Sequence, residues 1–163
     1  MYRFIITLAC TVALTFLTGC GKTCLTCGGD GEALCDAGQV DCDGTCIDEI
    51  PATLEGVTTQ VFAKSCAYGT CHDADSPIEG LAIHDLESVI AAINSPSLQD
   101  SSVVQIAPGD SANSYIYRKM IGENMAPTDF NGNPGGIMPP GSMLCAPKVE
   151  AVRAWIDAGA LTQ

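Results

Sequence analysis

An all-α fold is predicted for the larger part of this chain, and three observations predict it. From Gly56 onward apolar residues recur at helical spacing, Gly- and Pro-rich loops divide these stretches, and no convincing run of alternating strand residues interrupts them. A short Cys-rich segment, expected to be stapled by disulfides, precedes this helical domain. The boundaries read as 1–19 for an export signal, 20–55 for the Cys-rich spacer and 56–163 for the helical domain.

The first element is not expected to join the fold. Arg3 precedes an apolar run from Phe4 to Phe16, and Leu17-Thr18-Gly19-Cys20 follows. The run falls short of the roughly 20 residues that cross a bilayer, and its charged start and small-residue end are those of a cleaved export signal. Leu17 to Cys20 resembles the lipobox of bacterial lipoproteins. That resemblance implies lipidation of Cys20, which becomes the first residue of the mature chain; several acyl chains on one residue make a stable anchor. Gly21, in place of an aspartate, implies sorting to the outer membrane, facing the periplasm or the cell surface.

The second element holds Cys24, Cys27, Cys35, Cys42 and Cys46 among Gly and Asp, with almost no apolar periodicity. So short a segment needs staples, and disulfides form in an exported protein. The six cysteines 24, 27, 35, 42, 46 and 145 allow 15 pairings. Cys145 lies in the helical domain, where it either ties the last helix to the leader or caps it. Cys24-x-x-Cys27 lacks the βαβ context of a redox dithiol. Asp41, Asp43 and Asp48 lack the Gly and terminal Glu of a calcium loop.

Four helices are expected next. The first uses Val57, Val61 and Phe62 and ends near Cys66. The second starts at Asp85, a good N-cap, and sets Leu86, Val89, Ile90 and Ile93 on one buried face. The third follows Ser111 and carries Arg118 and Lys119 near its C-terminus, where they suit the helix dipole, with Gly122 as its C′ residue. The last opens at Pro147, buries Val149, Val152 and Ile156 beside Trp155, and closes at Gly159. Trp155 is expected to meet Phe62 where the first and last helices cross; Tyr115 and Tyr117 are expected to pack in the core rather than to relay electrons. Residues 122–145 form a Gly/Pro/Asn-rich loop, long enough to be functional.

The chemistry sits in the loops. Residues 66–72 read Cys66-Ala67-Tyr68-Gly69-Thr70-Cys71-His72, and Met138 stands far downstream in Gly136-Ile137-Met138-Pro139-Pro140-Gly141. Val61 to Cys66 leads into Cys71-His72, then Ala107 to Tyr115, Met138 to Gly141 and Arg153 to Ala160 follow in order. On these segments residues 57–161 resemble the small class I-like cytochrome c domains of bacterial surface and periplasmic proteins. The resemblance implies an all-helical, cytochrome c-like fold and one haem c, held by thioethers from Cys66 and Cys71. It implies His72 as proximal iron ligand and Met138 as the second axial ligand, a pairing that raises the reduction potential. Pro139 and Pro140 restrict the backbone beside the sulfur, and Gly135 and Gly136 permit close approach to the macrocycle. The usual attachment motif leaves two residues between its cysteines; this chain leaves four, a spacing that resembles attachment loops of some multihaem cytochromes.

Alternatives accompany each residue. Cys66 and Cys71 could close a local disulfide, leaving a haem-free structural or interaction module. Met138 could fill core space, with Met125, Met120 and Met143 as rival ligands, and His84 is expected to be a loop residue. An iron without Met138 would be a five-coordinate sensor or peroxidase, whereas an iron with both ligands suits an electron carrier. Without Arg3 the mature chain of 144 residues carries six basic and nineteen acidic side chains, a formal charge of −13. Such a chain disfavours nucleic acid and anionic lipid surfaces and favours a basic redox partner protein, with membrane contact through the lipid anchor alone.

Overall fold

The structure is a computed structural model that describes residues 35–69, 71–75, 77–129, 132 and 135–163. The expected signal, the Cys20 lipidation site, Cys24 and Cys27 lie outside the described residues. Among those described, the fold is mixed α/β, with four helices and a two-stranded antiparallel sheet, and 36% helical. This corrects the all-α, cytochrome c-like expectation, and two stretches of sequence account for it.

The first stretch is the Cys-rich segment. Strand β1 (Gln39–Cys42) pairs with β2 (Thr45–Asp48), in the register Val40 to Ile47 and Cys42 to Thr45. Asp43 and Gly44 turn the hairpin, both at positive φ, the conformation that favours Asp-Gly in a two-residue loop. Asp41 Oδ1 accepts from the Gly44 N–H at 2.9 Å. Disulfides Cys35–Cys46 and Cys42–Cys145 complete the hairpin, so Cys145 does tie the start of the last helix to the leader.

The second stretch is 93–106. Asn94 N–H donates to Ile106 O at 2.9 Å, Gln105 N–H to Ser95 O at 2.7 Å and Ser97 N–H to Val103 O at 3.0 Å. The Val103, Val104 and Ile106 side chains are β-branched and suit this extended backbone, though only isolated bridges form.

The helices appear near their expected places. Helix α1 is continuous through α-helical Leu54–Val57, π-helical Thr58–Phe62 and α-helical Ala63–Ser65, and it delivers Cys66 at its end. Thr53 caps it, accepting from Gly56 N–H at 3.1 Å. Helix α2 (Leu86–Ala92) begins at Asp85, which forms a capping box with Ser88. Its buried face is Val89 and Ala92, with Ile93 half-buried. Leu86 and Ile90, expected inside, are about two-fifths exposed because this short helix packs along one narrow edge.

Helix α3 (Tyr115–Ile121) follows a 3₁₀ turn, Ser111–Asn113, capped by Asp110 rather than Ser111. Gly122 is its left-handed C′ residue, and its N–H donates to Arg118 O at 2.9 Å. Helix α4 (Ala146–Asp157) carries Pro147 in its first turn. The core joins α1 to α4: Phe62 and Trp155, both buried, meet edge-on with ring centroids 6.4 Å apart. Trp155 Nε1–H donates to Leu161 O at 3.1 Å. Val57, Val61, Val89, Ile106, Val152 and Ile156 complete that core. No helix among the described residues is long and apolar enough to cross a membrane.

Candidate functional site

One mostly apolar cleft collects the chemistry-bearing residues. Cys66, Cys71, His72 and Met138 all line it, with about 810 Å³ of empty space counted out to its open mouth. Ile78, Leu81, Ile83, Ile116, Met120, Pro139 and Pro140 supply the apolar lining, and Ser97, Gln99, Gln105, Tyr115, Glu79 and Lys119 the polar one. Four residues named from two distant segments of the sequence thus share one cavity.

Cys66 enters the cleft because α1 ends at Ser65, and two main-chain N–H groups, of Cys66 and Ala67, both donate to Phe62 O as the helix unwinds. His72 N–H then donates to Cys66 O at 3.2 Å, and Ile83 N–H to His72 O at 3.0 Å, which clamps the loop against 81–83. Both thiols are free, whereas Cys35, Cys42, Cys46 and Cys145 are all paired. Burial pushes the Cys66 thiol up to about 12, so it stays protonated at neutral pH, with the Lys148 ammonium pulling the other way. A protonated thiol is a poor partner in disulfide exchange.

His72 is buried, and its Nδ1 lies 2.9 Å from Leu81 O. A carbonyl only accepts, so Nδ1 carries the proton and Nε2 keeps its lone pair. Burial lowers the affinity of His72 for a second proton, the larger effect against hydrogen bonds that raise it. A neutral imidazole with its tautomer set by a backbone carbonyl is the form that ligates a metal.

Met138 reaches the cleft from the 122–145 loop. Its N–H donates to Lys119 O at 2.9 Å, and its peptide bond to Pro139 is cis. Upstream, Ile137 Cγ2 packs so closely on Gly122 that a Cβ there would collide with it. Gly135 does not line the cleft; a Cβ on it would strike the Ala126 carbonyl, and Gly136 faces open space. Close approach at Gly135 therefore serves the loop's own packing.

Of the rival ligands, Met120 also lines the cleft but is fully buried in the α3 core; Met125 is not on its wall, and Met143 is exposed in another groove. His84 stands apart, its Nε2 3.4 Å from Asp85 Oδ2. Tyr115 is a staple for the loop: its hydroxyl donates to Gln99 Oε1 at 2.9 Å and accepts from Ala126 N–H at 3.2 Å. Among the described residues no group of three or more His, Cys, Asp or Glu is placed to hold a metal ion.

The residues fit the implied cofactor on these grounds: two unpaired thiols, a lone-pair imidazole nitrogen, a soft thioether sulfur and an apolar wall in one cleft. Lys119 is a cleft residue that its type and place in the sequence do not announce. Its place in the last turn of α3 marks it as a surface cation, yet it is 6% exposed and lines the cleft. Tyr115, Ile116, Lys119 and Met120 at helical spacing carried the signal. No protein-family model matches the chain, and no curated protein or solved structure matches it.

Proposed function

We propose that this chain is a one-electron carrier for a single c-type haem, which Cys66 and Cys71 would hold through thioether links and His72 and Met138 would hold through its iron. The observation that supports it most is the apolar cleft shared by two free thiols, the Nε2 lone pair of His72 and the Met138 side chain. Bound there, the haem iron would supply a one-electron couple whose potential His/Met ligation raises.

The chain's own residues do the rest. The Leu81 carbonyl orients His72 and sets its tautomer; the Lys119 carbonyl and the Pro139-Pro140 pair hold the Met138 backbone. The mostly apolar lining would limit the water around the ligand atoms. If His72 and Met138 both hold the iron, it would offer a substrate no open position, which would favour transfer over catalysis. The acidic chain would meet a basic partner protein, and the Cys20 lipid anchor would keep the exchange at the outer membrane.

The test is export of the full chain alongside a cytochrome c maturation system, followed by a pyridine haemochrome spectrum and a haem stain after denaturing electrophoresis. One covalent haem per chain is expected, and none in Cys66→Ala/Cys71→Ala. A colourless protein with Cys66 joined to Cys71 would sink the reading.

A further inference from the structure

Helix α1 changes register on its way to the cleft. Between two α-helical stretches it takes a π-helical turn over Thr58–Phe62, in which the Ala63 N–H donates to Thr58 O, five residues back. Such turns are rare, and local preference does not explain this one. Thr58, Thr59 and Val61 are β-branched, and Thr58 is 1% exposed with a hydroxyl that has no hydrogen-bond partner. The nearby carbonyls are already used: Thr58 N–H donates to Leu54 O and Glu55 O, and the Thr59 hydroxyl donates to Glu55 O at 2.7 Å. A buried hydroxyl left without a partner is costly, so the turn is held by what packs around it.

Val57, Val61 and Phe62 are fully buried, and Phe62 meets Trp155 edge-on. Cys66 follows at the helix end, half-buried against the same core and on the cleft wall. An unbroken α-helix turns by about 100° per residue, which would set Phe62 roughly 140° from Val57 and Cys66 roughly 180° from it, on the far side of α1. A π turn spends about one residue more than an α turn, and so sets everything after it back by about 100°. Phe62 then stands within roughly 40° of Val57 and Cys66 within roughly 80°, both on the core side of the helix.

We propose that the π turn is a register device: it absorbs one surplus residue of α1, so that the Cys66 thiol faces the cleft while Val57 and Phe62 stay in the core. Thr59, exposed and outside both contacts, is the residue it can spare. The proposal rests on the haem reading for what Cys66 does in the cleft, and on the helix alone for where Cys66 points.

The experiment uses the full chain carrying Cys71→Ser, free of haem, and follows maleimide labelling of Cys66 by mass spectrometry. Deleting Thr59 should close the turn to plain α-helix and keep both faces in place, leaving the labelling rate within about twofold of the parent's. Inserting one alanine after Lys64, beyond the turn, should swing Cys66 away by about 100° and raise the rate at least about tenfold, because exposure governs access to a thiol. With Cys71 present and a cytochrome c maturation system alongside, the deletion should still carry haem on both cysteines and the insertion on Cys71 alone. Slow labelling in both variants would overturn the proposal, since the loop rather than the helix register would then place Cys66. So would fast labelling, or loss of the fold by circular dichroism, in the chain without Thr59. Should the insertion fail to fold, the deletion still decides: retained shielding of Cys66 supports the device and lost shielding overturns it. Absence of haem from every chain, with labelling as expected, would overturn the haem reading and leave the register device standing.

Discussion

His72 Nδ1 donates to the Leu81 carbonyl at 2.9 Å, a bond that adds to the main-chain clamp on the loop after Cys71 and leaves Nε2 as the basic nitrogen. Burial depresses the folded-state proton affinity of the ring below that of the unfolded chain. Below the unfolded value of about 6.5, the unfolded state therefore binds more protons than the native one. Stability of the haem-free chain should fall as pH drops through that window, by up to about 1.4 kcal/mol per pH unit from this residue. Urea unfolding between pH 7 and 5 checks it: His72→Gln should flatten this part of the slope, and an unchanged slope would show that His72 titrates alike in both states.

The two disulfides should differ in worth. Cys42–Cys145 spans 103 residues and Cys35–Cys46 only 11. Loop-closure entropy then assigns about 4.7 kcal/mol to the first and about 3 kcal/mol to the second. Guanidinium unfolding of Cys42→Ser/Cys145→Ser and of Cys35→Ser/Cys46→Ser is expected to rank them in that order. Equal losses would show that the hairpin packs on α4 without needing the long-range bond.

Met138 and Met120 both line the cleft but should respond in opposite ways. Met138→Ala in the haem-loaded protein is expected to keep the covalent haem, lose the low-spin spectrum and admit carbon monoxide, at small cost in stability. Met120→Ala, in the fully buried core, should cost about 2–5 kcal/mol and leave the ligation spectrum as it was. Reversal of these two spectra would move the axial ligand to Met120.

Tyr115 joins the 97–100 segment to the long loop through one hydroxyl, with Gln99 on one side and Ala126 on the other. Tyr115→Phe leaves both partners without it and should cost about 1–3 kcal/mol. Amide hydrogen exchange should quicken at Ala126 and toward Met138. If the loop stays protected, its order comes from Gly122–Ile137 packing instead.

Much of the helical part was legible in the sequence because its signals are local. Asp85 as N-cap, Gly122 as C′ residue, Pro147 in a first turn and the Phe62–Trp155 contact all follow from spacing and capping chemistry. The hairpin had a local signal too, Asp43-Gly44, which the density of cysteines around it obscured. The extended pairing of 94–97 with 103–106 had little beyond β-branched residues to announce it.

By itself the sequence determined which atoms are on offer: two cysteines and a histidine within seven residues, a methionine before two prolines, and a surplus of acid. Only the tertiary structure decided which of them meet. It put Met138 and not Met125 on the cleft wall, turned Gly135 to Ala126, paired Cys42 with Cys145 while leaving Cys66 and Cys71 free, and buried Lys119 there. Residue type and spacing fix local conformation through backbone sterics and capping. Proximity across more than sixty residues, and the burial that sets a proton affinity, arise only when separate elements pack into one core.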